Sequence, residues 1–185
     1  FKTKALNKKK QNYLQNKFLL KKIIGNNNIG DFAGLAADSR LIKKDNLFLT
    51  IKGKKNEGYK FIPEAIKKGA KYVVSSKVLK KFKKKTIKVK NEISFLNQFA
   101  KFKREYSLAT IIAVTGSAGK TSLKNLIKNL LKNFNTTYSS PKSFNNHFGV
   151  PISLSNLCFE DKYGVFEVGM SKAGEIRNLS KLIKP

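Results

Sequence analysis

The residues of this chain best suited to chemistry lie between positions 111 and 131. Apolar Ile111-Ile112-Ala113-Val114 runs into Thr115-Gly116-Ser117-Ala118-Gly119-Lys120-Thr121-Ser122, and an amphipathic helical pattern follows. Gly116 and Gly119 can take backbone conformations closed to other residues, which lets amide N–H groups approach a polyphosphate without a Cβ in the way. Lys120 then reaches the outer phosphates, and the Thr121 hydroxyl offers a ligand to Mg2+. A helix dipole contributes about 0.3 to 1 kcal/mol to an anion at its N-terminus, against roughly 1.5 to 3 kcal/mol for each charge-assisted hydrogen bond, so the amides and Lys120 dominate the grip. Val114 stands where the common G-x-x-x-x-G-K-[ST] pattern has its first glycine, which makes the bare motif less specific. Context restores specificity: Leu123, Leu126, Ile127, Leu130 and Leu131 are expected on one helical face directly after the loop.

Other polar groups fall where such a loop would use them. Glu167 ends the apolar run Gly164-Val165-Phe166-Glu167-Val168, at the strand end where open parallel sheets gather ligands. It is placed to hold Mg2+ opposite Thr121, the alternative being a solvated strand-end carboxylate. Asn145-Asn146-His147-Phe148-Gly149-Val150-Pro151 offers two amides that either read a ligand or cap the next helix, which Pro151 suits as a first-turn residue. Asp38-Ser39-Arg40 is either a phosphate-pairing cluster or a turn with a surface ion pair. His147 is the only histidine and Cys158 the only cysteine, so neither a Cys-rich metal site nor an intrachain disulfide is available, and no histidine-based triad is evident.

The elements that must position these groups are legible in outline. Phe18, Leu19, Ile23 and Ile24 suggest a short amphipathic helix stopped by Gly25, with Asn26-Asn27-Asn28 as loop. Strands are expected at 47–51, 72–74 and 87–89, with helices at 61–68, closed by Gly69, and at about 92–105. Near Tyr106-Ser107 the pattern restarts, giving domains 1–107 and 108–185. In the second, strands 111–114, 136–139 and 164–168 alternate with helices, which implies a parallel, helix-covered sheet. With three strands legible, that sheet is expected to end in an unpaired edge where the chain stops. The fold class is α/β: a small α/β N-terminal domain followed by the start of a parallel-sheet phosphate-loop ATPase domain.

Composition bounds the alternatives. The 185 residues suffice to bury about 70% of the unfolded surface. No run of eighteen apolar residues occurs, which points to a cytoplasmic protein without membrane insertion. The net charge of +28 comes from 39 basic and 11 acidic residues, yet only Arg40, Arg104 and Arg177 are arginines. Lysines scattered from Lys2 to Lys184 act over a screening length of about 8 Å and read as solvated faces rather than a nucleic-acid surface.

These motifs, in this order, resemble the Mur ligase family of ATP-dependent amide-forming ligases of peptidoglycan synthesis. Within it, Asp38-Ser39-Arg40, Asn46-Leu47-Phe48, Ile51-Lys52-Gly53 and Phe61-Ile62-Pro63-Glu64-Ala65 resemble the N-terminal domain of the branch that joins D-alanyl-D-alanine to UDP-N-acetylmuramoyl-tripeptide. The loop 115–121, Asn145-Asn146, Glu167-Val168-Gly169-Met170 and Gly174-Glu175-Ile176 are similar to the branch's central domain. The resemblance implies ATP on Gly116, Ser117, Ala118, Gly119, Lys120, Thr121 and Ser122, with Mg2+ at Thr121 and Glu167 and catalysis carried by Lys120 and Glu167. Ser39 and Arg40 would lie near the uridine nucleotide, and Asn145 and Asn146 near the muramoyl-peptide or the nucleotide pocket. It further implies a metal-binding histidine, a modified lysine and a C-terminal domain beyond Pro185, so the 185 residues alone are expected to be inactive; a monomer is expected. A sister ligase or folylpolyglutamate-type ligase adding one amino acid, and a basic nucleic-acid-dependent ATPase, are the rival readings.

Overall fold

The computed structural model describes residues 2–25, 29–53 and 57–185, so the expected loop at Asn26–Asn28 lies outside the described residues. They pack as two compact units, Phe1–Gln98 and Phe99–Pro185.

The first unit is built on a wholly parallel sheet of β1 (Leu35–Ala36), β2 (Leu47–Leu49), β3 (Tyr72–Ser75) and β4 (Thr86–Lys88), in the spatial order β1-β2-β3-β4. Leu47, Phe48, Leu49, Val73 and Val74 are all buried, as strands covered on both faces require. The helix α2 (Ile62–Lys67), begun by Pro63 in its first turn, packs Ile62 and Ala65 against Phe48, Ala70 and Val73. β1 escaped the sequence reading because two residues carry no periodicity. The first helix, α1 (Lys2–Ile24), is far longer than the segment expected at its end. Its lysines, leucines and glutamines favour helix without forming an apolar stripe. Its buried Asn16 donates to the Phe32 carbonyl at 3.2 Å and the Ala33 carbonyl at 3.1 Å, tying helix to loop by hydrogen bonds that hydropathy does not register.

The helix α3 (Glu92–Tyr106) contributes Ala100 to the core of the second unit, where it joins Ala109, Ile111, Val150, Leu154, Phe166 and Leu179. That unit runs β5 (Thr110–Val114), α4 (Lys120–Lys132), β6 (Thr137–Ser139), α5 (Gly149–Ser155), β7 (Tyr163–Glu167), α6 (Glu175–Ile183). Its three strands are parallel in the order β5-β7-β6. The last strand is therefore central and paired on both sides, and the edges among the described residues are β5 and β6, not β7 as expected. The chain passes from β5 over one position to β6 and then returns to fill the gap, an inversion that adjacent sequence cannot encode.

Two local expectations change as well. α5 opens at Gly149, two residues before Pro151, because the Asn146 side-chain oxygen accepts from Phe148 N–H at 3.1 Å and Gly149 N–H at 2.8 Å. On α4, Leu123, Leu126 and Leu130 are 48%, 57% and 55% exposed, while Lys124 is 1% exposed. Of the five apolar residues expected on one face, Leu123, Leu126 and Leu130 are thus turned outward while Ile127 and Leu131 are half-buried, and a lysine takes a place inside.

Candidate active site

Reversal of strand order between β5 and β6 creates a crevice at the carboxyl ends of β5 and β7, the place where open parallel sheets bind ligands. The register sets Val114 beside Glu167, so the phosphate loop leaving β5 and the carboxylate ending β7 emerge next to each other. Gly116 has φ +148° and Gly119, which precedes α4, has φ +75°, both in the region that disfavours side chains. These two glycines turn the chain sharply enough for α4 to start at Lys120 with its N-terminus toward the crevice.

Glu167 is the centre of the polar network. One carboxylate oxygen, Oε2, accepts from Thr121 Oγ1 at 2.8 Å and lies 3.4 Å from Lys124 Nζ; the other, Oε1, accepts from Asn145 Nδ2 at 2.8 Å. Its backbone N–H donates to Ser140 Oγ at 3.1 Å, and the Asn145 carbonyl accepts from Gly169 N–H at 2.7 Å. Burial pushes the Glu167 carboxyl up, but the hydrogen bonds from Thr121 and Asn145 and the Lys124 ammonium outweigh it and hold the group below the usual carboxylate range. Glu167 is accordingly an ionised, buried and oriented carboxylate rather than a solvated strand end.

Lys120 curls back over the loop, donating to the Gly116 carbonyl at 2.7 Å and approaching the Ser117 carbonyl at 3.4 Å. A cleft of about 610 Å³ opens here, bringing together Gly116, Ser117, Lys120, Asn145 and Asn146. Across it, Glu175 at the start of α6 accepts from the backbone N–H groups of Ser171 at 2.7 Å and Lys172 at 3.2 Å, which hold its carboxyl below the usual range. Ala118, Gly119, Thr121 and Ser122 complete the loop and the first turn of α4.

The donor set suits Mg2+. Adjacent ligands of an octahedral Mg2+ with bonds of about 2.0 to 2.1 Å stand roughly 2.9 Å apart, and the Thr121 and Glu167 oxygens are 2.8 Å apart. Among the described residues no group of three His, Cys, Asp or Glu side chains converges, so the remaining ligands would be water and phosphate oxygens. His147 is exposed, with its ring tilted against Phe148 at a centroid distance of 3.9 Å, and makes no contact with Glu167 among the hydrogen bonds and ion pairs of the described residues.

Ser39 and Arg40 lie in the first unit. Ser39 is buried and donates to Glu64 Oε2 at 2.8 Å, and Arg40 forks onto Asp38 with its closest contact at 2.8 Å. Arg40 remains 81% exposed at its side chain, so the ion pair leaves it open to solvent. Sequence reasoning missed Lys124 and Ser140 altogether. For Lys124 a signal existed: it lies three and seven residues before Ile127 and Leu131, on the inward side of α4.

A parallel sheet with a glycine-bent phosphate loop at its switch point, facing a buried carboxylate, defines a nucleotide-binding domain of the phosphate-loop class. Residues 114–185 match the Mur ligase middle domain, and residues 31–104 match the domain described as Mur ligase family, catalytic domain. The chain belongs to the Mur ligase family. It is 40% identical over 149 residues to the UDP-N-acetylmuramoyl-tripeptide--D-alanyl-D-alanine ligase of Rickettsia prowazekii, covering 80% of this chain and 33% of that protein. It is 31% identical over 154 residues to the ligase of the same name from Bacillus subtilis, covering 82% and 34%. Among solved structures, MurF from Acinetobacter baumannii superposes with a TM-score of 0.76 at 25% identity, over 91% of this chain and 39% of that one. MurF ligase from Thermotoga maritima in complex with ADP gives 0.65 at 29% identity, over 80% and 35%. The chain spans about a third of the length of the curated relatives it matches.

Proposed function

We propose that this chain provides the uridine-nucleotide-binding domain, residues 1–107, and the first part of the ATP-binding domain, residues 108–185, of a ligase that joins D-alanyl-D-alanine to UDP-N-acetylmuramoyl-tripeptide. The observation that carries the reading is the convergence of Thr121, Asn145 and Glu167 beside the phosphate loop, in a chain whose relatives bear that ligase's name.

In the reaction, a carboxylate oxygen of the tripeptide substrate attacks the γ-phosphorus of ATP, and the bond to the β,γ-bridging oxygen breaks to release ADP. The amine of the dipeptide then attacks the acyl phosphate; its C–O bond breaks, inorganic phosphate leaves with the electron pair, and the nitrogen loses a proton. No protein nucleophile is required. Gly116, Ser117, Ala118, Gly119 and Ser122 contribute backbone groups around the phosphates, and Lys120 exchanges its loop carbonyl for a phosphate oxygen, stabilising charge on the transferring group. Thr121 and Glu167 would hold Mg2+, which supplies charge neutralisation at the β- and γ-phosphates. Asn145 keeps Glu167 in place, while Asn146 flanks the cleft toward the muramoyl-peptide. Ser39 and Arg40 contact the uridine nucleotide, with the exposed guanidinium of Arg40 available to phosphate.

The enzyme is read as a cytoplasmic monomer; among the described residues no helix is long and apolar enough to cross a membrane. The decisive measurement is ATP-dependent phosphate release by the full-length protein with UDP-N-acetylmuramoyl-tripeptide, with and without D-alanyl-D-alanine. Stimulation by the dipeptide is expected, and its absence would sink the assignment.

A further inference from the structure

A lysine 1% exposed on the inner side of a helix, where neighbouring leucines are half exposed, calls for a partner that offsets the loss of hydration. Lys124 has two. Its ammonium donates to the Lys142 carbonyl and lies 3.4 Å from Glu167 Oε2, with both side chains 2% exposed. Lys142 holds φ +49°, an uncommon conformation for a lysine, in the segment that leads to Asn145. Lys124 thus fastens the helix after the phosphate loop to the Asn145 segment and to the end of β7, and it does so on the same carboxylate oxygen that Thr121 engages.

We infer that Lys124 is a positioning residue that keeps the Thr121–Glu167 pair from taking up a divalent cation by itself, so that the cation enters only together with the polyphosphate. In the empty site the ammonium already neutralises the carboxylate. A cation bound to Oε2 at about 2.1 Å would sit close to the ammonium, with little water between the like charges. Polyphosphate supplies the negative charge that offsets this repulsion. Bare metal is excluded, and Glu167 stays oriented until nucleotide arrives. The inference rests on the phosphate-loop reading proposed above.

The test is Mn2+ uptake by the full-length protein, followed through the paramagnetic resonance of the free ion, with Glu167→Gln defining the part that depends on this carboxylate. Wild type is expected to show no Glu167-dependent uptake of Mn2+ alone up to about 1 mM. Adding a non-hydrolysable ATP analogue should bring that uptake to at least about tenfold higher affinity. Lys124→Met should bind Mn2+ alone at least about tenfold more tightly than wild type, a gain that a merely structural lysine would not give, and Lys124→Arg should remain as weak as wild type. Micromolar Glu167-dependent uptake of Mn2+ alone by wild type would overturn the inference. So would a Lys124→Met protein with an intact melting transition and no tighter uptake. Should Lys124→Met fail to fold, the wild-type and Glu167→Gln comparison decides alone. Dipeptide-stimulated phosphate release is measured on the same wild-type protein, so failure of the ligase assignment and failure of the Mn2+ result are separable.

Discussion

Both units carry wholly parallel sheets, but one runs β1-β2-β3-β4 in sequence order and the other runs β5-β7-β6. The sequential sheet has no reversal and therefore no switch-point crevice, and its polar cluster is held in two ways: Arg40 pairs with Asp38 two residues away, and Ser39 donates to Glu64 on α2. The reversed sheet parts the chains leaving β5 and β6 and sends polar groups from α4 and the Asn145 segment onto one buried carboxylate. The same strand-helix vocabulary gives isolated pairs, one exposed and one part-buried, in one unit and a buried, oriented network in the other. The difference lies in topology, since an open parallel sheet forms a ligand-sized crevice at the point where its strand order reverses.

The sharpest way to break this comparison is Lys120→Ala in the full-length protein. Loss of about 10³-fold in turnover is expected, with the melting temperature nearly unchanged, because the side chain bonds only loop carbonyls. Retained turnover would remove the functional distinction between the two sheets.

Next comes stability. Lys124→Met leaves Glu167 buried without its counter-charge and should cost about 3 to 5 kcal/mol in denaturant unfolding, of which adding Glu167→Gln restores more than half. Lys71→Ala in the first unit removes the half-exposed pair with Asp31, 2.7 Å apart, and should cost less than about 1 kcal/mol. Equal costs would show that burial does not separate the two networks.

A finer contrast lies within the second unit. Lys103 is buried with its ammonium 4.2 Å from the Phe159 ring centroid, and burial pushes its pKa from 10.5 down to about 7. The unfolded chain then binds one more proton than the folded one between about pH 7 and 10.5, so stability rises with pH across that window and the burial penalty is felt in full below it. Lys103→Met should flatten this slope in unfolding measured at pH 7 and pH 9. An unchanged slope would mean that Lys103 keeps its proton in the folded state.

The site was readable where residue types carry their own chemistry. Glycines before a lysine and threonine, between an apolar strand and an amphipathic helix, point to a phosphate loop, and a glutamate ending an apolar strand points to a placed carboxylate beside it. Asn145 was left open between ligand and cap; the fold gives it to Glu167, and it is Asn146 that caps α5. Lys124 escaped because lysine on a helix ordinarily faces water. The α4 leucines misled for the complementary reason: an apolar stripe says that a face seeks burial, not which residues of this chain cover it. Of helix α1 only the end was legible, where Leu19 and its neighbours are apolar; the earlier turns carry no apolar period, and Asn16 ties the helix to the loop before β1 by hydrogen bonds.

The sequence by itself determined the α/β class, the strand-loop-helix with its glycine-bent loop, and an acidic group at the end of an apolar strand, because local backbone preference and residue chemistry act over a few positions. Only the tertiary structure decided that β7 lies between β5 and β6, that Ser39 is drawn onto Glu64 of α2 while Arg40 folds onto Asp38, and that Lys124 is drawn inward onto Glu167. Those outcomes depend on which distant segments share a crossover and on how a buried charge finds its counter-charge, and neither quantity is stored in any short stretch of chain.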